Sequence, residues 1–249
     1  YSTWTLGSDI WSLGRIPIVR SYLHRALRDS QACYSDGFKL ADDTRRIGGR
    51  SVEFLPSTRR GQGRRTEAIK SAPPYRLLFL GRWHPNKGVD LLLDALGQLG
   101  DEDWSRIECV EICGGGPLEQ LVREAVSALQ RSGRPIELRG YLDKLAAEAA
   151  ILRADYLLLP SRIDSIPVVF SDAVKLRCPV LANPIGDLPR LMGQESPPGL
   201  LADSASAGDF TKRIASALRI PAASFEEGLK ASAEMFDLNA SAARIMNNL

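Results

Sequence analysis

A doubly wound α/β domain built on a parallel sheet is the architecture predicted for residues 75–238 of this 249-residue chain. Two observations predict it. From Tyr75 onward, short and nearly continuous apolar runs alternate with stretches of helical periodicity. Strands that are apolar along their whole length need cover on both faces, and amphipathic helices between them supply it. The composition, 44% hydrophobic and 25% charged, is that of an ordinary globular protein. It excludes a disordered chain, a collagen-like repeat and a disulfide scaffold. The length suits one large domain or two small ones.

The elements follow in chain order. A helix is expected from about Pro17 to Arg28, with proline in its first turn. A short strand ACYS (32–35), a helix near 37–47 and a strand SVEFL (51–55) come next. This is too little chain for a stable sheet, so residues 1–58 are read as the tail of a larger, truncated domain. Residues 59–74, within a stretch rich in Arg, Gly, Ser and Pro, are read as a linker. Such a composition suits a solvated connector; its four arginines are alternatively phosphate contacts. Strands are then predicted at 76–81, 109–113, 136–140, 156–161 and 179–184, with a short edge strand at 199–202. Helices are predicted at 89–99, from Pro117 to about Gln130, and at 143–154, 168–177 and 207–219. In an open parallel sheet, ligands sit beyond the carboxyl ends of the strands. The loops at 81–88, 113–117, 140–143, 160–168 and 184–190 are therefore where chemistry is sought.

Charge is unevenly spread. Residues 1–72 carry 13 Lys and Arg against 7 Asp and Glu, whereas the remainder carries 19 against 23. A basic N-terminal part suits an anionic neighbour such as a membrane surface or a phosphorylated ligand, and equally a solvated face. No apolar stretch is long enough to cross a membrane. The opening YSTWTLGSDIW lacks the basic start and apolar run of a signal peptide. The four cysteines (Cys33, Cys109, Cys113, Cys178) show no C-x-x-C spacing, and there are two histidines. No metal site is expected. Buried, reduced thiols fit a cytoplasmic setting.

The loop Gly81-Arg82-Trp83-His84-Pro85-Asn86-Lys87-Gly88 leaves a strand and opens a helix. Arg82 and Lys87 at the strand's carboxyl end, with free amides at the helix start, suit a diphosphate. A solvated loop with incidental cations is the other reading. Cys113-Gly114-Gly115-Gly116-Pro117-Leu118-Glu119 is a glycine turn, but it lacks the Gly-Lys-Ser/Thr ending of a P-loop. Glu119 stands where the dinucleotide fingerprint needs its third glycine. Asp164, in a loop after a strand, could accept hydrogen bonds from ligand hydroxyls, and Asp172, inside the following helix, from a second diol. Asp near a helix start is also ordinary capping. Asp101-Glu102-Asp103 matches a metal-dependent D-x-D pattern, but it falls at the amino end of the sheet and is read as solvated charge. His24 and His84 are candidate bases, His84 lying in the phosphate-type loop.

Taken together, these residues resemble the family-4 glycosyltransferases, retaining enzymes of the GT-B fold. The matching pieces are G-R-x4-K-G at 81–88, G-G-G-P-L at 114–118, R-G-Y-L at 139–142 and A-D-Y-L-L-L-P-S at 154–161. They continue with the pair Asp164 and Asp172 and with C-P-V-L-A-N-P-I-G-D-L-P at 178–189. Each motif is weak alone; their order and spacing over most of 75–205 carry the resemblance. L-G-S-D-I at 6–10 and F-L-P at 54–56 extend it into residues 6–58.

The resemblance implies a Rossmann-like donor-binding domain following a truncated second one. It also implies a helix at 239–249 that crosses back to the N-terminal domain. Gly81, Arg82 and Lys87 match the site of the donor's diphosphate. Asp164 matches the first acid of the family's E-x7-E motif, near the donor sugar, and Asp172 the second, which holds the ribose. Ser165, Ile166 and Val168 match the loop whose backbone amides meet phosphate and sugar. Tyr141 and Leu142 fall where the nucleobase lies. Catalysis would rest on Arg82, Lys87 and Asp164, with no metal. The implied activity moves a hexose from a nucleotide-diphosphate sugar, with UDP or GDP as its base carrier, to a glycan or lipid-linked acceptor, as in polysaccharide synthesis. Peripheral contact with the inner membrane face and no nucleic-acid partner are expected. The alternative is a nucleotide-sugar-binding module without transfer activity. Two departures stand out: the acids are Asp and Asp rather than Glu and Glu, and Leu6 replaces the His common before the N-terminal Gly.

Overall fold

The computed structural model describes residues 1–246 and divides into two compact units. The first comprises Tyr1–Arg60, Ser165–Val168 and the chain from Met235; the second comprises Gly61–Asp164 and Val169–Glu234.

In the first unit, β1 (Thr3–Thr5), β2 (Cys33–Ser35) and β3 (Glu53–Phe54) form a parallel sheet in that order. The helices Pro17–Asp29 and Phe38–Gly48 make the crossovers. This corrects the expectation that residues 1–58 are too short to hold a sheet. Leu27 and Leu40 from the two helices pack with Ile10, Cys33 and Val52. The C-terminal helix Leu238–Met246 adds cover that residues 1–58 lack. Its Ile245 packs on Ala32, Tyr34 and Leu55, and Arg244 Nη1 donates to the Phe54 carbonyl at 3.3 Å. The predicted helix also includes residues 247–249, which lie outside the described residues.

The second unit holds a six-stranded, all-parallel sheet. Its strands are β4 (Tyr75–Arg82), β5 (Ile107–Gly115), β6 (Ile136–Arg139), β7 (Tyr156–Leu159), β8 (Val180–Ala182) and β9 (Gly199–Leu201). Their spatial order is β6-β5-β4-β7-β8-β9. The chain builds outward from β4 in one direction, then returns to β7 on its other side. That reversal opens a crevice between the carboxyl ends of β4 and β7. Consecutive residues Leu77, Leu78 and Phe79 are all buried, as are Leu157 and Leu158. Neighbouring strand residues point to opposite faces, so both faces of the sheet are covered, as the doubly wound reading requires.

The amino end of this sheet is sealed. Tyr75 and Tyr156, the first residues of β4 and β7, meet edge to face with ring centroids 5.4 Å apart. Both hydroxyls donate to the Ile220 carbonyl, at 3.0 and 3.3 Å. At the same end, Asp101–Trp104 forms a short helix that sequence periodicity could not reveal. Its carboxylates are ion-paired: Asp101 with Arg134 at 2.6 Å and Asp103 with Arg219 at 2.7 Å.

The connector is less solvated than its composition suggests. Arg65 is buried and donates through Nη2 to the carbonyls of Ala154, at 2.7 Å, and Ile151, at 3.2 Å. It thereby caps the last turn of the helix Lys144–Arg153. The amides of Gln62 and Gly63 both donate to Glu148 Oε2 at 2.9 Å.

Candidate functional site

The site is built where the sheet reverses. The strand β4 delivers Gly81 and Arg82 to the carboxyl edge, and the chain then makes a single 3-10 turn, Pro85–Lys87. His84 starts that turn by accepting the Asn86 amide on Nδ1 at 3.1 Å. This gives the imidazole a structural task in shaping the turn. Gly88 ends the turn in the left-handed region, with φ of 71°, and a Cβ there would lie 2.0 Å from the Pro160 carbonyl oxygen. Only glycine lets this loop approach the loop after β7 so closely. Gly114, with φ of 148°, plays the same part toward β4, since a Cβ on it would lie 1.9 Å from the Gly81 oxygen. Trp83 is buried behind these contacts.

The close approach lets two loops exchange charge. Lys87 Nζ lies 2.7 and 2.8 Å from the two oxygens of Asp164. Arg82, the last residue of β4, is exposed and makes no ion pair among the described residues. Asp172 lies in the helix Val168–Lys175 and is buried, at 4% exposure, with Lys175 Nζ 3.8 Å from its carboxylate. Gly81, Arg82, Lys87 and Asp164 thus come to one crevice edge. Tyr141 and Leu142 follow β6, two strands from β4, a lateral step of about 10 Å. Tyr141 is 89% exposed and Leu142 half-buried. Ser165, Ile166 and Val168 belong to the first unit; Ile166 is buried and Val168 exposed.

Two groups escaped the sequence reading. Arg162 forks onto Asp90, with Nη1 2.8 Å from Oδ1 and Nη2 2.9 Å from Oδ2. Asp90 opens the helix after the Lys87 loop, where a carboxylate is ordinary, and Arg162 sits amid a polar loop, so neither advertises the other. Burial alone would raise the Asp90 carboxyl pKa, but the hydrogen bonds and charge of Arg162 bring it below the usual range. Asn183, after β8, is fully buried and donates through Nδ2 to the Pro160 and Ser161 carbonyls at 2.9 and 3.3 Å. It braces the loop that carries Asp164.

Residues 74–219 match the profile of the family described as glycosyl transferases group 1. The chain belongs to that family. This group 1 glycosyltransferase chain is also 27% identical, over 137 residues, to an uncharacterized glycosyltransferase of Methanocaldococcus jannaschii. That match covers 55% of this chain and 36% of the relative, so the chain spans about a third of the relative's length. Among solved structures, Anabaena HepE superposes with a TM-score of 0.73 at 14% identity, covering 99% of this chain and 70% of HepE. S. aureus TarM gives 0.71 at 15% identity, covering 93% and 46% respectively. Sucrose-phosphate synthase from Thermosynechococcus elongatus gives 0.70 at 16%, covering 99% and 65%. These likenesses show the fold, which is the GT-B type. Among the described residues no helix is long and apolar enough to cross a membrane.

Proposed function

We propose that this chain is the donor-binding part of a retaining glycosyltransferase of the family-4 kind. It transfers a hexose from a nucleotide-diphosphate sugar to a glycan or lipid-linked acceptor. The observation that carries the reading is the pairing of Lys87 with Asp164 at the sheet's reversal, where β4 also ends on an uncommitted Arg82. When the bond from the sugar's anomeric carbon to the diphosphate breaks, its electron pair leaves with the phosphate oxygen. Negative charge then grows on the diphosphate and positive charge on the sugar. Arg82 and Lys87 face the first change and Asp164 the second, and fixed charges at such a crevice lower the barrier most. Asp172 serves the ribose, Tyr141 and Leu142 the base, and the amides of Ser165, Ile166 and Val168 the phosphate and sugar. HepE, solved in complex with UDP and glucose, supports a uridine donor by likeness of fold.

Calorimetric titration with UDP, GDP and ADP tests this reading. Selective binding of one diphosphate, weakened about tenfold to a hundredfold in Arg82→Ala, is expected for loss of a charge-assisted contact. Equal affinity of the wild type and the variant would remove Arg82 from the site.

A further inference from the structure

Two ion pairs of opposite sense bridge the same two loops. A cation on the β4 loop, Lys87, reaches an anion on the β7 loop, Asp164. A cation on the β7 loop, Arg162, reaches back to an anion just past the β4 loop, Asp90. The second pair is held by more than charge. Arg162 Nη1 also donates to the Pro85 carbonyl at 2.7 Å, and its backbone amide donates to the Asn86 carbonyl at 2.8 Å. Arg162 therefore grips the turn that carries Lys87 at three points: the helix start behind it and two carbonyls within it.

The two pairs differ in what a ligand would do to them. Lys87 has one charge and, in the donor-site reading above, two claimants, Asp164 and a diphosphate. A loop junction resting on Lys87 alone would loosen whenever its charge was drawn toward the ligand. Asp90 and Arg162 have no such second claim, because the guanidinium's fork is filled by Asp90 and Pro85. A planar fork fixes direction as well as distance, which a point charge does not.

We propose that the Arg162–Asp90 clasp is a positioning device for donor binding. It keeps the β4 and β7 loops in register, so that Lys87 can turn its charge from Asp164 to a nucleoside diphosphate without the loops parting. Arg162 acts through Lys87 and touches no substrate. This inference rests on the donor-site reading.

The test is a double-mutant cycle read by UDP titration, followed by NMR up to millimolar nucleotide on the full chain. Arg162→Gln is expected to weaken UDP binding about tenfold. Arg162→Lys, which keeps the charge but loses the fork, is expected to do nearly the same. The melting temperature should stay within a few degrees, because the pair is solvent-accessible and such pairs contribute little to stability. In a Lys87→Ala background, Arg162→Gln should cost less than about twofold, since its route to the ligand is already gone. Wild-type affinity in Arg162→Lys overturns the proposal, as does an undiminished loss in the Lys87→Ala background. If the wild type binds UDP and all Arg162 variants bind it equally, the positioning role alone falls. If the wild type binds none of UDP, GDP or ADP, the donor-site reading falls and the proposal with it.

Discussion

The Lys87 ammonium sits on both oxygens of Asp164, 77 residues further along the chain, at 2.7 and 2.8 Å. One residue comes from the loop after β4 and the other from the loop after β7, the two strands between which the sheet reverses. A lysine this close to both oxygens of a carboxylate is held in place before any ligand arrives.

The approach that permits this pairing depends on Gly88. Gly88→Ala combines a left-handed backbone with a Cβ 2.0 Å from the Pro160 oxygen. It should destabilise the chain by about 2–4 kcal/mol. Gly97→Ala is the control, because a Cβ there meets nothing within 4 Å. That substitution should be neutral or stabilising by up to about 1 kcal/mol. Urea unfolding of the two variants, measured together, gives both numbers. A mild Gly88→Ala would show that the loops can part cheaply.

Tyr141 offers a separable test of the base position. The residue is 89% exposed, so Tyr141→Ala should leave the melting temperature unchanged. A stacking contact with a base is worth about 1–3 kcal/mol. UDP affinity should therefore fall about fivefold to a hundredfold, while affinity for inorganic diphosphate stays as it was. Parallel loss for both ligands would place Tyr141 nearer the phosphates than the base.

The thiols give a pH prediction. All four cysteines are buried. Burial pushes the pKa of Cys109 and Cys113 up to about 11 and that of Cys178 to about 12. A group with a raised folded pKa contributes its full stability below its unfolded value, near 8.5 for a thiol, and loses it as pH rises. The urea midpoint should accordingly fall between pH 8.5 and 11. At pH 8, a disulfide reagent such as Ellman's should label the folded chain slowly and report four thiols once denaturant is added.

The central strands of the second unit were legible because they carry runs of consecutive apolar residues such as Leu77-Leu78-Phe79 and Leu157-Leu158-Leu159, whereas β6, Ile-Glu-Leu-Arg, was placed by its position between two helical stretches. β1 was not legible, because Thr3–Thr5 is too short to display any period. Its sheet depends on Ile245, distant in sequence, to cover Tyr34 and Leu55. Arg82, Lys87, Asp164 and Asp172 could be singled out because each stands at or just after a strand's carboxyl end or in the first turns of the helix that follows. The Arg162–Asp90 pair could not, because its partners are 72 residues apart and each is unremarkable locally. Arg65 misled in the opposite direction. Its Arg- and Gly-rich surroundings read as solvated, yet its guanidinium fills the carbonyl end of a helix that only the tertiary fold brings to it.

The tyrosines at the amino end of the second unit's sheet bear on how this protein can change. Tyr75 and Tyr156 fasten β4 and β7 to the Ile220 carbonyl at the end away from Lys87 and Asp164. Rigidity is thus concentrated at one edge and exposed chemistry, Arg82 and Tyr141, at the other. Replacements at the open edge draw little on the fastening that keeps the strands aligned. Such a division lets selection, or an engineer, vary the residues of the open edge while the foundation of the domain stays fixed.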